Sequence, residues 1–141
     1  MKIIVDTREQ LCYKFQTPSI RGTLKTGDYS IEGFEDKISI EKKELGDLLG
    51  CLTIGRDRFE RELERSKSYE YFALVIESTL ADIATGNYRS KMNPKSAVQS
   101  LLAFSVRYRL PVFFVGNRVY GARVTESLLL KYVREQEKNS V

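Results

Sequence analysis

Apolar positions along the chain change period several times, and each change predicts an element. Ile3, Ile4 and Val5 form a short apolar run that stops at Asp6-Thr7-Arg8-Glu9, which predicts a buried strand with a polar end. Residues 10–24 carry Pro18, Gly22 and mixed polarity, and predict a loop with a short extended piece around Tyr13 to Phe15. Residues 24–31 predict a second strand, in which Gly27 marks a bulge or a close backbone approach. Turn residues at 33–36 and a third strand over 37–43 complete a hairpin. Side chains in that third strand alternate faces, so Ile38 and Ile40 point into a core while Glu41 and Lys43 share the other face.

Helical spacing follows. Leu45, Leu48, Leu49 and Leu52 fall on one face of a helix that begins near Glu44 or Leu45, and Thr53-Ile54-Gly55 interrupts it. A charged helix over 56–68 places Phe59 and Leu63 one turn apart. The continuous apolar run at 71–77 predicts a central strand covered on both faces. A short helix over 80–85 ends at Gly86-Asn87, and Asn93-Pro94 supplies an N-cap and a first-turn proline for a helix reaching about Tyr108. Val112 to Val115 predicts another buried strand, and a final helix is expected over 122–135. A hairpin followed by alternating helices and buried strands predicts an α/β fold with a mixed sheet, in one domain.

Composition narrows the chemistry. The 141 residues are 42% hydrophobic and 30% charged, as in ordinary globular chains, and the net charge of +4 permits a polyanionic partner without requiring one. Histidine is absent, which removes Ser-His and Cys-His nucleophile pairs and His-ligated zinc. Cys12 and Cys51 lack metal-binding spacing and suit reduced, partly buried thiols. No apolar stretch approaches the roughly 18 residues of a membrane span, and the N-terminal run is too short for a signal peptide. A soluble cytoplasmic protein with no membrane partner is expected.

Hydrolytic chemistry without histidine must come from carboxylates, lysine and a hard cation held by oxygen. Asp6 ends the first strand, Asp28 follows Gly27, and Glu41 and Lys43 flank Lys42 near the end of the third strand. Three acids near strand ends of one small sheet can converge on Mg²⁺, with Mn²⁺ as a substitute. Asp28 and Glu41 would hold the cation, and Lys43 would stabilise charge on a pentacovalent phosphate or orient the attacking water. Taken singly, each of these residues is explained as well by a solvated surface.

Val5-Asp6-Thr7-Arg8-Glu9, Gly27-Asp28-Tyr29 and Glu41-Lys42-Lys43 with Asp47 downstream resemble the signature of the XPF-type structure-specific endonuclease family. That signature reads V-D-x-R-E, G-D-Y and E-R-K-x-x-x-D, within the PD-(D/E)xK restriction-endonuclease-like superfamily. The resemblance continues through Gly55-Arg56 and Arg58-Phe59-Glu60-Arg61-Glu62-Leu63, similar to bacterial and phage members. It implies a restriction-endonuclease-like mixed sheet flanked by helices. It also implies that Asp6, Asp28 and Glu41 surround the metal, that the Lys42 carbonyl is a further ligand, and that Lys43 is catalytic. Arg8 and Glu9 then lie at the rim of the site. Asp47 fits either a site role or a charge in the first turn of a helix.

The activity implied is hydrolysis of phosphodiester bonds in branched or flapped DNA during replication, recombination or repair, in a prokaryotic or phage-infected cell. A non-catalytic DNA-binding or scaffolding module of the same fold, and a restriction- or junction-type nuclease, are the alternatives. Lys42 stands where the signature has arginine and so lacks the planar fork that grips phosphate. The sequence shows no tandem helix–hairpin–helix module, so DNA grip is expected from the domain itself, from dimerisation or from a targeting protein. Arg8, Lys42, Arg56, Arg89 and Lys91 are the candidate DNA contacts, although Arg56 could equally pair within its own acidic and basic helix. Val124, Leu128, Leu129, Tyr132 and Val133 give the last helix an apolar stripe that fits core packing or an interface. The family resemblance favours a homodimer through the C-terminal helices.

Overall fold

The computed structural model describes residues 1–140. Among these residues six strands and five helices occur in the order β1 (Ile3–Asp6), β2 (Ser19–Gly22), β3 (Tyr29–Ile31), β4 (Ile38–Glu44), α1 (Leu45–Cys51), α2 (Arg56–Ser66), β5 (Tyr71–Glu77), α3 (Leu80–Ala84), α4 (Pro94–Arg107), β6 (Val112–Phe114) and α5 (Arg118–Asn139). The strands form one sheet in the order β2-β1-β3-β4-β5-β6. β1 runs antiparallel to β3 and β3 antiparallel to β4, whereas β1–β2, β4–β5 and β5–β6 are parallel pairs. This is the expected α/β architecture with a mixed sheet.

Each sheet face carries its own core. Leu74 and Ile76 of β5 pack with Leu48, Leu49, Phe59, Leu63, Ile83, Leu101 and Phe104 from α1, α2, α3 and α4. Ile38 and Ile40 of β4 pack with Ala73, Val75, Tyr29, Leu129 and Val133 on the side of α5. The alternation read along β4 therefore holds, and it decides which helices see Glu41 and Lys43. Glu41 is level with Leu74 and Lys43 with Ile76 across the parallel β4–β5 ladder, so both face the α1–α2 layer. Lys42, level with Val75, faces the α5 side.

Three boundaries differ from the sequence reading. The extended piece of the first loop is β2, not residues 13–15; β2 is an exposed edge strand with no buried position to signal it. Tyr13 instead is a buried plug, stacked on Tyr29 with ring centres 5.2 Å apart. The strand expected over 24–31 is regular only from Tyr29, because Gly27 has φ +94° and a Cβ there would lie 2.0 Å from Ser39 Oγ. That hydroxyl takes over part of the ladder by donating to the Thr26 carbonyl at 2.7 Å. The last helix starts at Arg118, where the Asn117 side chain caps the Tyr120 N–H at 2.9 Å. β6 is half-buried at the sheet edge rather than buried.

Candidate active site

Backbone hydrogen bonding brings Asp28 between two strands. Its N–H donates to the Ile40 carbonyl at 2.9 Å, and its carbonyl accepts from the Asp6 N–H at 2.9 Å. The Asp28 side chain in turn accepts from the Lys42 N–H at 2.8 Å, which aims it at the β4 segment carrying Glu41 and Lys43. Glu41 is 5% exposed and its Oε2 lies 3.0 Å from Lys43 Nζ. The Lys43 ammonium also sits 5.6 Å from the centre of the Phe59 ring on α2.

The electrostatics of this group are strained in one direction. Burial, and then repulsion from Glu41, push the Asp28 carboxyl up to about 8 from an ordinary 3.8. Burial and the neighbouring Glu62 push Glu41 up as well. Burial works against the charge on Lys43, but attraction to Glu41 outweighs it and raises the ammonium above its usual range. Asp28, Glu41 and Lys43 thus form one coupled unit, as the motif spacing anticipates.

Asp6 is placed differently. One of its oxygens accepts from Leu24 N–H at 2.8 Å and Arg8 Nη2 at 3.2 Å, the other from Arg8 Nε at 2.8 Å and Arg8 N–H at 3.1 Å. Burial would raise its pKa, but these bonds and the Arg8 charge hold it below the ordinary carboxylate range. Among the described residues no group of three or more His, Cys, Asp or Glu side chains is arranged to hold a metal ion. The expected convergence of Asp6, Asp28 and Glu41 on one point is therefore not what the structure presents. Asp6 instead holds the Arg8 side chain at the surface, 68% exposed.

The candidate DNA contacts divide in the same way. Lys42 turns from Glu41, pairs with Glu9 at 3.3 Å, donates to the Leu11 carbonyl at 3.0 Å and is mostly buried against Tyr13. Arg56 brackets helices: it donates to the Leu52 carbonyl and Ser100 Oγ, pairs with Glu60 at 3.4 Å and lies 4.9 Å from the Phe104 ring. Arg89 and Lys91 are exposed in the α3–α4 loop. Asp47 is exposed in the first turn of α1, where Glu44 caps the Gly46 and Asp47 N–H groups.

Glu62 is the residue that the sequence reading left among the solvated charges of α2. Its periodicity held a usable signal, since Glu62 is three positions from Phe59 and next to Leu63, both buried. It is half-buried, and burial raises the pKa of its carboxyl too. Cys51 on α1 is a half-buried free thiol, and burial pushes its pKa up.

The model of the ERCC4 domain family matches residues 5–128, nearly the whole of this arrangement. The chain belongs to that family. The XPF-type resemblance carried by the three motif segments is thereby upheld. XPF from Aeropyrum pernix superposes with a TM-score of 0.75 at 22% identity, over 94% of this chain and 61% of that chain. XPF from Aeropyrum pernix in complex with DNA gives 0.73 at 22% identity, over 95% and 66%. These likenesses establish the fold, and the chain spans less than two thirds of either protein's length. No curated protein sequence matches the chain.

Proposed function

We propose that this ERCC4 domain is a divalent-cation-dependent DNA endonuclease. It hydrolyses phosphodiester bonds in branched or flapped DNA during replication, recombination or repair, in the cytoplasm of a prokaryotic or phage-infected cell. The observation that carries the reading is the triad of half-buried Asp28, buried Glu41 and half-buried Lys43, with the ammonium 3.0 Å from the Glu41 carboxylate. A buried and a half-buried carboxylate whose charged forms repel each other present the donor chemistry that a hard dication satisfies. Asp28 and Glu41 would hold magnesium, with manganese as the substitute, and the ion when bound supplies Lewis-acid polarisation of a phosphate and an acidified water.

The protein's own groups do the rest. Lys43 is kept protonated beside Glu41 and offers a fixed positive charge to an oxygen that becomes more negative as the phosphodiester is attacked. Arg8, whose Nε and Nη2 are held by Asp6 and the Leu24 carbonyl, offers positive charge and its remaining nitrogen, Nη1, to a neighbouring phosphate at the rim. Lys42 is committed to Glu9 and Leu11 and supports the wall of the site. Arg89 and Lys91 supply exposed charge for the DNA backbone.

A homodimer through the C-terminal region is part of the same proposal. The apolar stripe of α5 is largely spent in the core, since Leu129 and Val133 are buried and Val124, Leu128 and Tyr132 pack against them. Support comes instead from Leu102 and Val106 on α4 and Val119 and Tyr120 on α5, all exposed on the helices that accompany the edge strand β6. The test incubates wild type and Lys43→Ala with labelled duplex, flap, fork and junction DNA in Mg²⁺, Mn²⁺ or EDTA. Cleavage by wild type with metal, lost in EDTA and in the variant, is expected; a folded wild type that cuts none of these substrates refutes it.

A further inference from the structure

We propose that Leu11 is a specificity-determining contact that covers an unstacked base at the branch of a DNA substrate; this rests on the nuclease reading above. β1 and β4 both run antiparallel to β3, so their C-terminal ends share one edge of the sheet. The end of β4 carries Glu41 and Lys43, and the end of β1 feeds the irregular residues 7–18. Leu11 lies in that segment and is 72% exposed. Its carbonyl accepts from Lys42 Nζ at 3.0 Å, and the Lys42 N–H donates to the Asp28 carboxylate at 2.8 Å. The exposed leucine is thereby tied to the residue between Glu41 and Lys43.

An exposed leucine alone means little. What sets Leu11 apart is the strapping of the backbone that carries it. Arg118 Nη2, from the first turn of α5, donates to the Leu11 and Cys12 carbonyls at 2.5 and 2.7 Å. Arg21 on β2 donates to the Asp6 and Glu9 carbonyls and reaches Cys12 Sγ at 3.7 Å. Lys42 adds an ion pair with Glu9 at 3.3 Å. Beside them the buried Tyr13 donates its N–H to the Tyr29 hydroxyl at 2.8 Å. Three cations from three elements fix an irregular segment, and its apolar side chain is left facing water.

Charge decides what that side chain meets. Arg21 and Arg118 spend their donors on carbonyls and a thiol, and among the described residues neither pairs with a carboxylate. Two uncompensated guanidinium groups around one exposed apolar side chain complement a polyanion with an uncovered apolar surface. DNA has that combination where its stack is interrupted, with phosphates outside and a bare base face at the branch. In continuous duplex each base is covered by its neighbours, and opening a step is costly; at a branch the step is already open. A leucine that needs an open step therefore favours branched DNA, whereas the charge of Arg21 and Arg118 favours both forms alike.

Two measurements test this on the full chain, with Ca²⁺ in place of Mg²⁺ so that neither depends on turnover. In fluorescence anisotropy with a labelled flap and the matching duplex, wild type should bind the flap more tightly. Leu11→Ala should lose about 5- to 30-fold in flap affinity, the range that covering most of one leucine side chain supplies. Its duplex affinity should stay within about twofold, which also shows that the variant is folded, and Leu11→Met should keep the flap preference. A 2-aminopurine placed at the branch should brighten on saturation with wild type or Leu11→Met but not with Leu11→Ala. Equal flap affinity in Leu11→Ala and wild type, an equal loss on flap and duplex, or a wild type without flap preference overturns the proposal. A wild type that binds with this preference but cuts no DNA in Mg²⁺ sinks the nuclease reading and leaves the Leu11 contact standing.

Discussion

Replacing Asp28 by Asn should make the protein more stable while removing its activity. Asn keeps an acceptor for the Lys42 N–H, now bonded at 2.8 Å, so the change removes a charge and little else. In the fold the Asp28 carboxyl titrates near 8, against 3.8 ordinarily, because of burial and the Glu41 charge. The folded chain therefore binds this proton more tightly than the unfolded chain does. Unfolding releases it at any pH between those values, so stability is full below about pH 4 and falls until about pH 8.

The whole shift, at about 1.4 kcal/mol per unit, sets a ceiling of about 6 kcal/mol. Asp28 and Glu41 share their repulsion, so neutralising one relieves both, and about 2–3 kcal/mol is the expected gain at pH 8. Urea unfolding in EDTA at pH 5 and pH 8 measures it. Wild type should lose stability across that interval, and Asp28→Asn should lose less and be the more stable protein at pH 8. An unchanged pH slope, or a variant less stable than wild type at pH 8, would show that the carboxylates are not under the stated strain.

Three further outcomes are expected. Saturating Mn²⁺ should raise the melting temperature of wild type and leave Asp28→Asn nearly unmoved, by thermal scanning with and without metal. Gly27→Ala should cost about 3–5 kcal/mol in urea unfolding, the sum of a positive-φ penalty and the lost Ser39–Thr26 bond. Arg56→Ala should cost about 1–2 kcal/mol through its bonds to Leu52 and Ser100 and its contact with Phe104, with DNA affinity by fluorescence anisotropy unchanged.

The elements built on strong periodicity were legible before any coordinates. The run at 71–77 is β5 to the residue, Asn93-Pro94 opens α4, and the Thr53-Ile54-Gly55 break separates α1 from α2. What escaped were elements with no burial contrast: the exposed strand β2, and the largely exposed first turn of α5. The pattern of a chain reports which residues avoid water, so an edge strand that avoids none of it leaves no trace.

The active site divides along the same line. By itself the sequence determined that Glu41 and Lys43 share a face of one strand and that Lys42 opposes them, because both are local consequences of alternation; it marked Gly27 as a bulge or close approach, and the fold supplied Ser39 as what lies against it. Only the tertiary structure decided that Asp6 is bound up in presenting Arg8 and that Arg56 ties helices together. Those outcomes depend on which distant groups meet across the β1–β3 ladder and the α2–sheet interface. Charge on a helix looks alike in sequence whether it meets water or, as Arg56 does, a neighbouring helix, and packing alone tells the two apart.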